Sequence, residues 1–459
     1  MSLPANELVR AAVIAAMFVM VFGAAELWRK FGNPPPEWTR KAVHLGGGLV
    51  SLTLPWVLHS HWTVLALGSV FAAIILLSRH AGELKSVHGV TRQSDGGLYF
   101  PISIYLLFLF GHDQPVFYLI SVLVLMLSDA LAALIGTTYG RAIYAVERDR
   151  RSVEGSAVFF LTTFFAVHLP LLLMTDVGRG VGVLIALQIA LLVTSFEAIS
   201  VRGADNLVVP LGTFLLLLKM TPKTAEFIAL QIASQLAIIA LLVVLVWRSR
   251  LLTASGTVAA SIFFYGAWSL GGPRWILAPT VALAVFWVIF QRFGSDASRP
   301  DARYQVLAVF YTSLVASAWF VLNNIFETVL ANPTFREADP FYPLYLGTIA
   351  AHLAILSLVF LDQTPWAETF RPGHWVSAVA VGLLAVVPVG LLVGERGVRP
   401  WDAVLAAGLC TLALGLYSLI SRWSIWPHTQ PWDARLQALC SALAAAVVLP
   451  LHLLGLLQA

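Results

Sequence analysis

Long apolar runs recur along this chain, from about residue 8 to residue 457. Most are about 17 to 24 residues long, which is the length that a helix needs to cross roughly 30 Å of hydrocarbon. Of the 459 residues, 59% are hydrophobic and only 11% are charged, which excludes a soluble globular domain. We predict an all-α, polytopic integral membrane protein with about 14 to 16 transmembrane helices, of which the runs at 97–111 and 206–219 are short.

The distribution of basic residues predicts the orientation. If the N-terminus lies outside, about 20 of the 28 Lys and Arg residues fall in alternate loops, which then face the cytoplasm. The net charge of +4 reflects these loops, so we do not expect nucleic-acid binding. Arg greatly outnumbers Lys, which is typical of a GC-rich, prokaryotic genome. We therefore expect a prokaryotic cytoplasmic membrane as the location.

Polarity divides the chain into two predicted domains. In residues 1–250 the loops expected to face the cytoplasm carry paired charges beside glycines, whereas the runs in residues 251–459 contain few embedded charges. The two cysteines, Cys410 and Cys440, fall inside apolar runs and have no His or Cys at ligand spacing, so we predict neither a zinc site nor a disulfide.

Two cations and a histidine stand at the mouth of the second apolar run, in the stretch E-W-T-R-K-A-V-H-L-G-G-G at 37–48. Arg40 and His44 are four residues apart and therefore share one helix face. We predict that Arg40 and Lys41 contact phosphate oxygens, with His44 as a donor below them. A basic membrane anchor is the alternative. The glycines at 46–48 would let another helix or a ligand approach closely.

An aspartate interrupts a later apolar run. Carboxylates inside a membrane are rare and mark functional sites by default, so Asp129 is a candidate catalytic residue. Gly136 and Gly140 lie on the same helical face as Asp129 and leave a smooth strip beside it. Tight helix packing without a ligand is the alternative for these glycines.

A basic loop follows this strip and leads into a new apolar run that begins S-V-E-G-S. A helix N-terminus with Ser and Gly offers free N–H groups to phosphate, and the arginines add charge-assisted contacts. The predicted phosphate-binding residues of this segment are Arg141, Arg150, Arg151, Ser152, Glu154, Gly155 and Ser156.

Further acidic residues surround a short apolar run. Glu197 ends the preceding run, whereas Asp205 and Asn206 begin the short one, which contains Pro210. A broken helix with Glu, Asp and Asn at its rim is a candidate metal or hydroxyl site, and a capped polar turn is the alternative. A Gly pair in R-Q-S-D-G-G-L-Y-F-P, at 92–101, suggests irregular backbone beside a cavity.

A site that binds a nucleoside triphosphate with Mg²⁺ would explain both the arginines, which bind phosphate, and the carboxylates among them, which bind the cation or a hydroxyl group. The candidate metal ligands are Asp129, Asp205 and Glu154. Under the predicted topology, all of these clusters face the cytoplasm.

These residues resemble the CTP-dependent polyprenol kinases, which include phytol kinase and dolichol kinase, and more distantly the CDP-diacylglycerol synthases. The family usually has Lys where this chain has Arg151, a change that keeps the charge and alters the geometry. The resemblance covers about residues 37 to 220 and lies in R-K-A-V-H (40–44), G-G-L-Y-F-P (96–101), S-D-A-L-A-A-L-I-G-T-T-Y-G-R (128–141), R-S-V-E-G-S (151–156) and E-x7-D-N-L-V-V-P-L (197–211).

The resemblance implies transfer of the γ-phosphoryl group of CTP to a long-chain isoprenoid alcohol such as phytol, geranylgeraniol or a polyprenol, with Mg²⁺. Asp129 and Asp205 would hold Mg²⁺ or orient the alcohol, and Glu197 is the candidate base. The catalytic set also includes His44. The set that binds the nucleotide comprises Arg40, Lys41, Gly136, Gly140, Arg141, Arg150, Arg151, Ser152, Glu154, Gly155, Ser156 and Asn206.

The second half is similar to the membrane family that includes phytyl-phosphate kinase. The similarity lies in L-L-T-A-S-G-T-V-A-A-S (251–261), G-G-P-R-W (271–275), F-W-V-I-F (286–290) and R-Y-Q-V-L-A (303–308). The acidic signature expected later is degraded, with Asp362 and Glu368 as the nearby candidates. A fused monophosphate kinase and a purely structural half both remain open.

Two other functions remain as alternatives. A cytidylyltransferase would join CTP to a phospholipid and release pyrophosphate, and a transporter would need paired broken helices in inverted repeats. The expected partners are CTP, the lipid alcohol and the bilayer, and the sequence leaves the oligomeric state open.

Overall fold

A computed structural model describes residues 5–81, 94–249, 251–293, 304–328, 340–361, 371–387, 389, 400–423 and 432–458. The chain divides into two compact units, Met1–Ala233 and Ser234–Ala459. Asp362 and Glu368, the acidic candidates of the second half, lie outside the described residues, as do the first two positions of the stretch 92–101.

Unit 1 is a bundle of helices with one small β-hairpin. A π-helical segment, Val124–Ser128, joins α6 to α7 without a break in the helix. The elements are α1 Ala5–Gly32, α2 Pro36–Leu52, α3 Leu54–Val57, α4 His61–Ala81, α5 Gly96–Gly111, α6 Pro115–Leu123, α7 Asp129–Tyr139, β1 Ile143–Val146, β2 Asp149–Ser152, α8 Val153–Met174, α9 Arg179–Ile199 and α10 Asp205–Met220. Helix α11, Ala225–Ser249, contains the boundary between the units.

Unit 2 consists of helices in its described part. Thr253 caps the first of them by accepting a hydrogen bond from the Gly256 amide at 3.0 Å. A π-helical segment and a 3-10 turn connect the first two helices. The helices are α12 Ala254–Gly266, α13 Leu277–Phe293, α14 Val306–Thr328, α15 Tyr342–Leu361, α16 Arg371–Leu383, α17 Pro400–Trp423 and α18 Trp432–Gln458.

The prediction of an all-α polytopic membrane protein is confirmed. In the described residues, ten helices are long and apolar enough to cross a membrane. Each of the other predicted spans corresponds to a shorter helix, such as α2 with 17 residues and α10 with 16. Length and hydropathy therefore support ten crossings, and the higher number of 14 to 16 remains a prediction.

The β-hairpin was not expected, because the sequence suggested only a charged loop at this place. Strands β1 and β2 pair antiparallel, with Tyr144 opposite Arg151 and Val146 opposite Asp149. The two-residue turn has Glu147 at a φ of 53°. Two-residue turns of this kind usually contain Asn or Gly. Neither residue is present in this turn, so the sequence did not indicate a hairpin.

Apolar side chains from several helices form the core of unit 1. Leu107 of α5, Ile120 of α6 and Leu217 of α10 are fully buried within one cluster. Tyr118 is buried with them, and its hydroxyl donates to the Ser51 carbonyl at 2.8 Å. This packing fixes α2, α5, α6 and α10 relative to one another, and it therefore positions the polar ends that they carry.

Candidate active site

A cavity of about 310 Å³ lies at one end of the helices of unit 1. Its wall contains residues from each of the clusters that the sequence singled out. The predicted site residues in this wall are Arg40, Lys41, Asp129, Gly136, Arg150, Arg151, Ser152, Gly155, Ser156, Glu197, Asp205 and Asn206.

Four helices begin at this cavity. The first turns of α2, α8 and α10 contribute wall residues, and Ser94 does so directly before α5. A helix N-terminus carries unpaired N–H groups and a partial positive charge, so it attracts anions. Several such ends around one space favour a ligand with several negative charges.

Asp129 is held by two residues of α2. Its Oδ2 lies 2.6 Å from Lys41 Nζ and 3.3 Å from His44 Nε2. The Lys41 side chain is only 2% exposed, and that of Asp129 is 15% exposed. A buried ammonium is costly without a partner, so this pair is needed to keep Lys41 at the cavity.

A π-helical turn immediately precedes Asp129. Single π-turns inside α-helices are rare and often occur at functional sites. The carbonyl of Leu125, within this turn, accepts a hydrogen bond from His44 Nε2 at 3.1 Å. Sequence analysis missed this turn, because V-L-M-L-S is an ordinary apolar stretch.

Glycines at 46–48 bring α2 close to its neighbours. A Cβ on Gly48 would lie 2.6 Å from Cβ of Met126 in the π-turn, and one on Gly46 would lie 2.7 Å from a Val21 methyl group in α1. The predicted close approach of another helix is therefore observed. The packing of α2 on the π-turn fixes the distance between Lys41, which lies in α2, and Asp129, which directly follows the π-turn.

Arg151 forms the second charged group of the cavity. Its guanidinium is paired with Glu197, lies 3.5 Å from an oxygen of Asp205 and donates to the Ser200 carbonyl at 3.1 Å. The side chains of Arg151 and Glu197 are 11% and 8% exposed. The hairpin, the end of α9 and the start of α10 are thus joined by one guanidinium.

Close backbone packing forms one side of the cavity. Ser152 accepts a hydrogen bond from the Gly155 amide at 3.1 Å and so caps α8. A Cβ on Gly155 would lie 3.0 Å from the Ala132 carbonyl oxygen, and one on Gly136 would lie 2.9 Å from Ser152 Oγ. The glycines therefore let α7 and the start of α8 pack together beside the cavity.

Four predicted site residues are not part of the cavity wall: His44, Gly140, Arg141 and Glu154. His44 acts on the site through Asp129. Glu154 accepts hydrogen bonds from the backbone amides of Arg141 and Ala142, at 3.0 and 3.1 Å. Its carboxylate therefore fixes the connection between α7 and the hairpin.

Sequence analysis also left out wall residues that the structure reveals. Glu37 pairs with Arg40 at 2.5 Å, and Ser94 and Thr137 line the cavity as well. Gly203 has a φ of +84°, and a Cβ there would lie 2.5 Å from Ser94 Oγ. The doublet Arg202–Gly203 before α10 was the available sequence signal for this turn.

A divalent cation fits one part of this wall. Among the described residues, no group of three or more His, Cys, Asp or Glu side chains could hold a metal ion. Mg²⁺, however, often binds to one or two protein oxygens together with substrate phosphates and water. Asp205 and Asn206 are adjacent, and Asn206 Oδ1 is buried without a hydrogen-bond partner in the described chain. These two side chains fit Mg²⁺ better than Glu154 does.

Comparison with known proteins identifies the family. Over 195 residues the chain is 38% identical to the phytol kinase of Synechocystis sp., and this match covers 42% of the chain and 83% of that protein. This chain belongs to the phytol kinase family. No family model matches the chain, and no solved structure matches it either. The predicted resemblance to the polyprenol kinases is thus confirmed, and more than half of the chain lies outside this match.

Proposed function

We propose that the cavity of unit 1 transfers the γ-phosphoryl group of CTP to a long-chain isoprenoid alcohol at the cytoplasmic face of the membrane. The observation that carries this proposal is the composition of one wall. It combines Lys41, Arg150 and Arg151 with several helix N-termini, which suit a triphosphate, and with Asp129, which suits a hydroxyl group. The name of the 38% identical relative supports a kinase of this type.

In the proposed reaction, the oxygen of the lipid alcohol attacks the γ-phosphorus of CTP. The bond from this phosphorus to the β,γ-bridging oxygen breaks, and CDP leaves. The hydroxyl proton passes to Asp129, whose carboxylate is kept in place by Lys41 and His44. Both carboxylates are paired with a cation, but the Glu197 side chain is 8% exposed against 15% for Asp129, so Glu197 is less accessible to an incoming hydroxyl group.

Positioning and charge neutralisation supply most of the catalysis in phosphoryl transfer. Arg150 and the amides at the start of α8 would hold the phosphate chain, and Arg40 would approach it from α2. Mg²⁺, held by Asp205 and Asn206, would neutralise charge on the phosphates. The apolar tail of the alcohol would remain among the membrane helices.

The test uses the purified full-length chain in lipid nanodiscs with phytol, geranylgeraniol or a polyprenol. CTP labelled at the γ-phosphate should yield a labelled lipid and one CDP per lipid, and a chelator should stop the reaction until Mg²⁺ is restored. ATP, GTP and UTP serve as competing donors. Absence of a phosphorylated product with every alcohol would overturn the proposal. So would cytidine label on the lipid with release of pyrophosphate, which indicates a cytidylyltransferase.

A matched pair of arginine variants tests the wall itself. Arg150→Ala removes a cation from the cavity and should raise the KM for CTP by about tenfold, which corresponds to about one charge-assisted hydrogen bond. Arg141→Ala removes an arginine nearby that is not part of the wall, so its KM should stay within about twofold. Equal effects of both variants would contradict this placement of the triphosphate.

A further inference from the structure

Unit 2 contains a second cavity of different character. Its volume is about 150 Å³, and its wall comes from α12, α13, α14, α15 and the segments that precede α12 and α14. Aromatic rings of Phe263, Phe264 and Phe286 line it together with aliphatic side chains. No Lys, Arg, Asp or Glu is among its lining residues in the described chain.

His352 of α15 contributes an imidazole to this apolar wall, and Tyr304 contributes a phenol ring. His352 is 5% exposed, and neither ring nitrogen has a hydrogen-bond partner among the described residues. The Gln437 side chain lies within hydrogen-bonding reach of the imidazole. However, its amide nitrogen donates to Asp433 at 2.9 Å, and its Oε1 also lacks a partner in the described chain. A buried imidazole of this kind costs free energy unless a ligand or water bonds to it.

The other polar groups of the wall are already used. The Thr312 hydroxyl donates to the Ala308 carbonyl at 2.9 Å, and the Ser313 hydroxyl donates to the Val309 carbonyl at 2.8 Å. Both are bonds within α14, so neither hydroxyl has a proton left for a ligand. His352 is therefore the polar side chain of this wall whose ring nitrogens both lack a hydrogen-bond partner in the described chain, which favours it for recognition of a polar atom.

From these contacts we propose that unit 2 binds the unphosphorylated isoprenoid alcohol, with its hydroxyl group on His352. A neutral imidazole has one donor nitrogen and one acceptor nitrogen, and a hydroxyl group can pair with either of them. A phosphate or diphosphate would need cations, which this wall lacks. A pure hydrocarbon would leave the imidazole unpaired. The choice of an isoprenoid chain rests on the proposed function of unit 1.

The volume fits the head of such a lipid. An apolar cavity of about 150 Å³ accommodates benzene, so this one has room for about one five-carbon isoprene unit and its hydroxyl. Leu283 and Val309 in the wall are half-buried, so part of this wall lies near the surface of the unit. The remainder of the lipid chain would pass out of the cavity there into the bilayer. Unit 2 would thus hold the substrate of unit 1 in its hydroxyl form.

The experiment uses the full-length chain carrying Asp129→Ala, without nucleotide, so that binding is separated from phosphoryl transfer. A photoreactive diazirine analogue of geranylgeraniol is crosslinked, and labelled peptides are identified by mass spectrometry. We expect label on α13, α14 or α15, and we expect it to be displaced by geranylgeraniol. The parent hydrocarbon and geranylgeranyl monophosphate should compete at least about tenfold more weakly, as expected for one lost hydrogen bond in a buried site. Equal competition by either one would overturn the proposal.

Three variants separate polarity from packing. His352→Leu should lower labelling of these helices about tenfold, whereas His352→Gln keeps a donor and an acceptor and should restore most of it. Ala282→Phe should abolish the labelling by filling the cavity. Size-exclusion profiles and unfolding midpoints without probe report whether each variant folds. Unchanged labelling in folded His352→Leu, or no saturable labelling of unit 2 at all, would overturn the proposal even if unit 1 proves to be an active kinase.

Discussion

The two units contain cavities that differ in charge far more than in size. The cavity of unit 1, about 310 Å³, has Lys41, Asp129, Arg151 and Glu197 in its wall. The cavity of unit 2, about 150 Å³, has aromatic and aliphatic walls with a single imidazole. Apolar helices form both cavities, so the helices alone do not distinguish the two. The difference lies in the few charged side chains of their walls.

The comparison also shows how a membrane protein maintains a charged site. In unit 1, Lys41 and Arg151 are each paired with a carboxylate within the cavity wall. Removing one member of a buried ion pair typically costs about 3–5 kcal/mol, because the remaining charge loses its compensation. In unit 2 no such pair lies in the described cavity wall, and His352 contributes its one imidazole. The ion pairs in the wall of unit 1 are consistent with the charged ligand proposed there. The uncharged wall of unit 2 is consistent with the neutral ligand proposed for it.

The largest effect is expected when the charge of Asp129 is removed. Asp129→Asn keeps the shape of the side chain, yet it should reduce lipid phosphorylation by at least about a thousandfold, because Asp129 is the proposed proton acceptor. The labelled-CTP assay measures this loss. Labelling of unit 2 by the geranylgeraniol probe should not change. Full activity in Asp129→Asn would remove Asp129 from the mechanism.

A double variant distinguishes chemistry from folding at the same place. Asp129→Asn alone leaves the buried Lys41 without its carboxylate and should lower the stability of unit 1. Adding Lys41→Met makes the pair neutral and should restore much of the unfolding midpoint without restoring activity. If activity returned with the midpoint, the loss in the single variant would be a folding defect.

The next largest effect concerns Arg151. Arg151→Ala leaves Glu197 and Asp205 without their shared cation and should lower kcat/KM by about a hundredfold. Arg151→Lys keeps the charge but loses the planar fork that reaches Glu197 and the Ser200 carbonyl together, so we expect a loss of about tenfold. Steady-state kinetics with CTP as the varied substrate measure both. A Lys variant as weak as the Ala variant would show that geometry, and not charge, is decisive.

A smaller effect is expected at the crossing of α7 and α8. Gly155→Ala places a Cβ 3.0 Å from the Ala132 carbonyl oxygen, whereas Gly180→Ala in α9 meets nothing within 4 Å. Overpacking of this kind costs about 1–3 kcal/mol. We therefore expect a lower unfolding midpoint and a higher KM for CTP in Gly155→Ala, and neither change in Gly180→Ala. Identical midpoints for the two variants would contradict the tight packing at Gly155.

The apolar runs and the polar residues at their ends located the long helices and many residues of the unit 1 cavity wall. The reason is physical: a membrane helix must be apolar over a defined length, so its ends and any charge within it are visible in the sequence. Asp129 and Arg151 were found in this way. Most of the polar clusters lie at or near helix ends. These ends come together when the helices pack side by side.

The pairings could not be predicted from the sequence. Lys41 and Asp129 are 88 positions apart, and nothing local indicates that they meet. Glu154 was predicted as a metal ligand, whereas in the structure its carboxylate accepts backbone hydrogen bonds from the connection after α7. The hairpin lacks Asn or Gly in its turn, and the π-turn lacks any marker residue. These features depend on tertiary contacts, which sequence spacing does not record.

Glu154 provides the smallest expected effect and tests the placement of the metal. If Asp205 and Asn206 hold Mg²⁺, Glu154→Gln should change kcat by less than about threefold, since an amide oxygen can still accept from the backbone amides at Arg141 and Ala142. The concentration of Mg²⁺ for half-maximal rate should stay the same. Asn206→Ala should raise that concentration by about tenfold, because it removes a neutral oxygen ligand. The opposite result, a Mg²⁺ requirement that changes in Glu154→Gln but not in Asn206→Ala, would move the metal from the start of α10 to the start of α8.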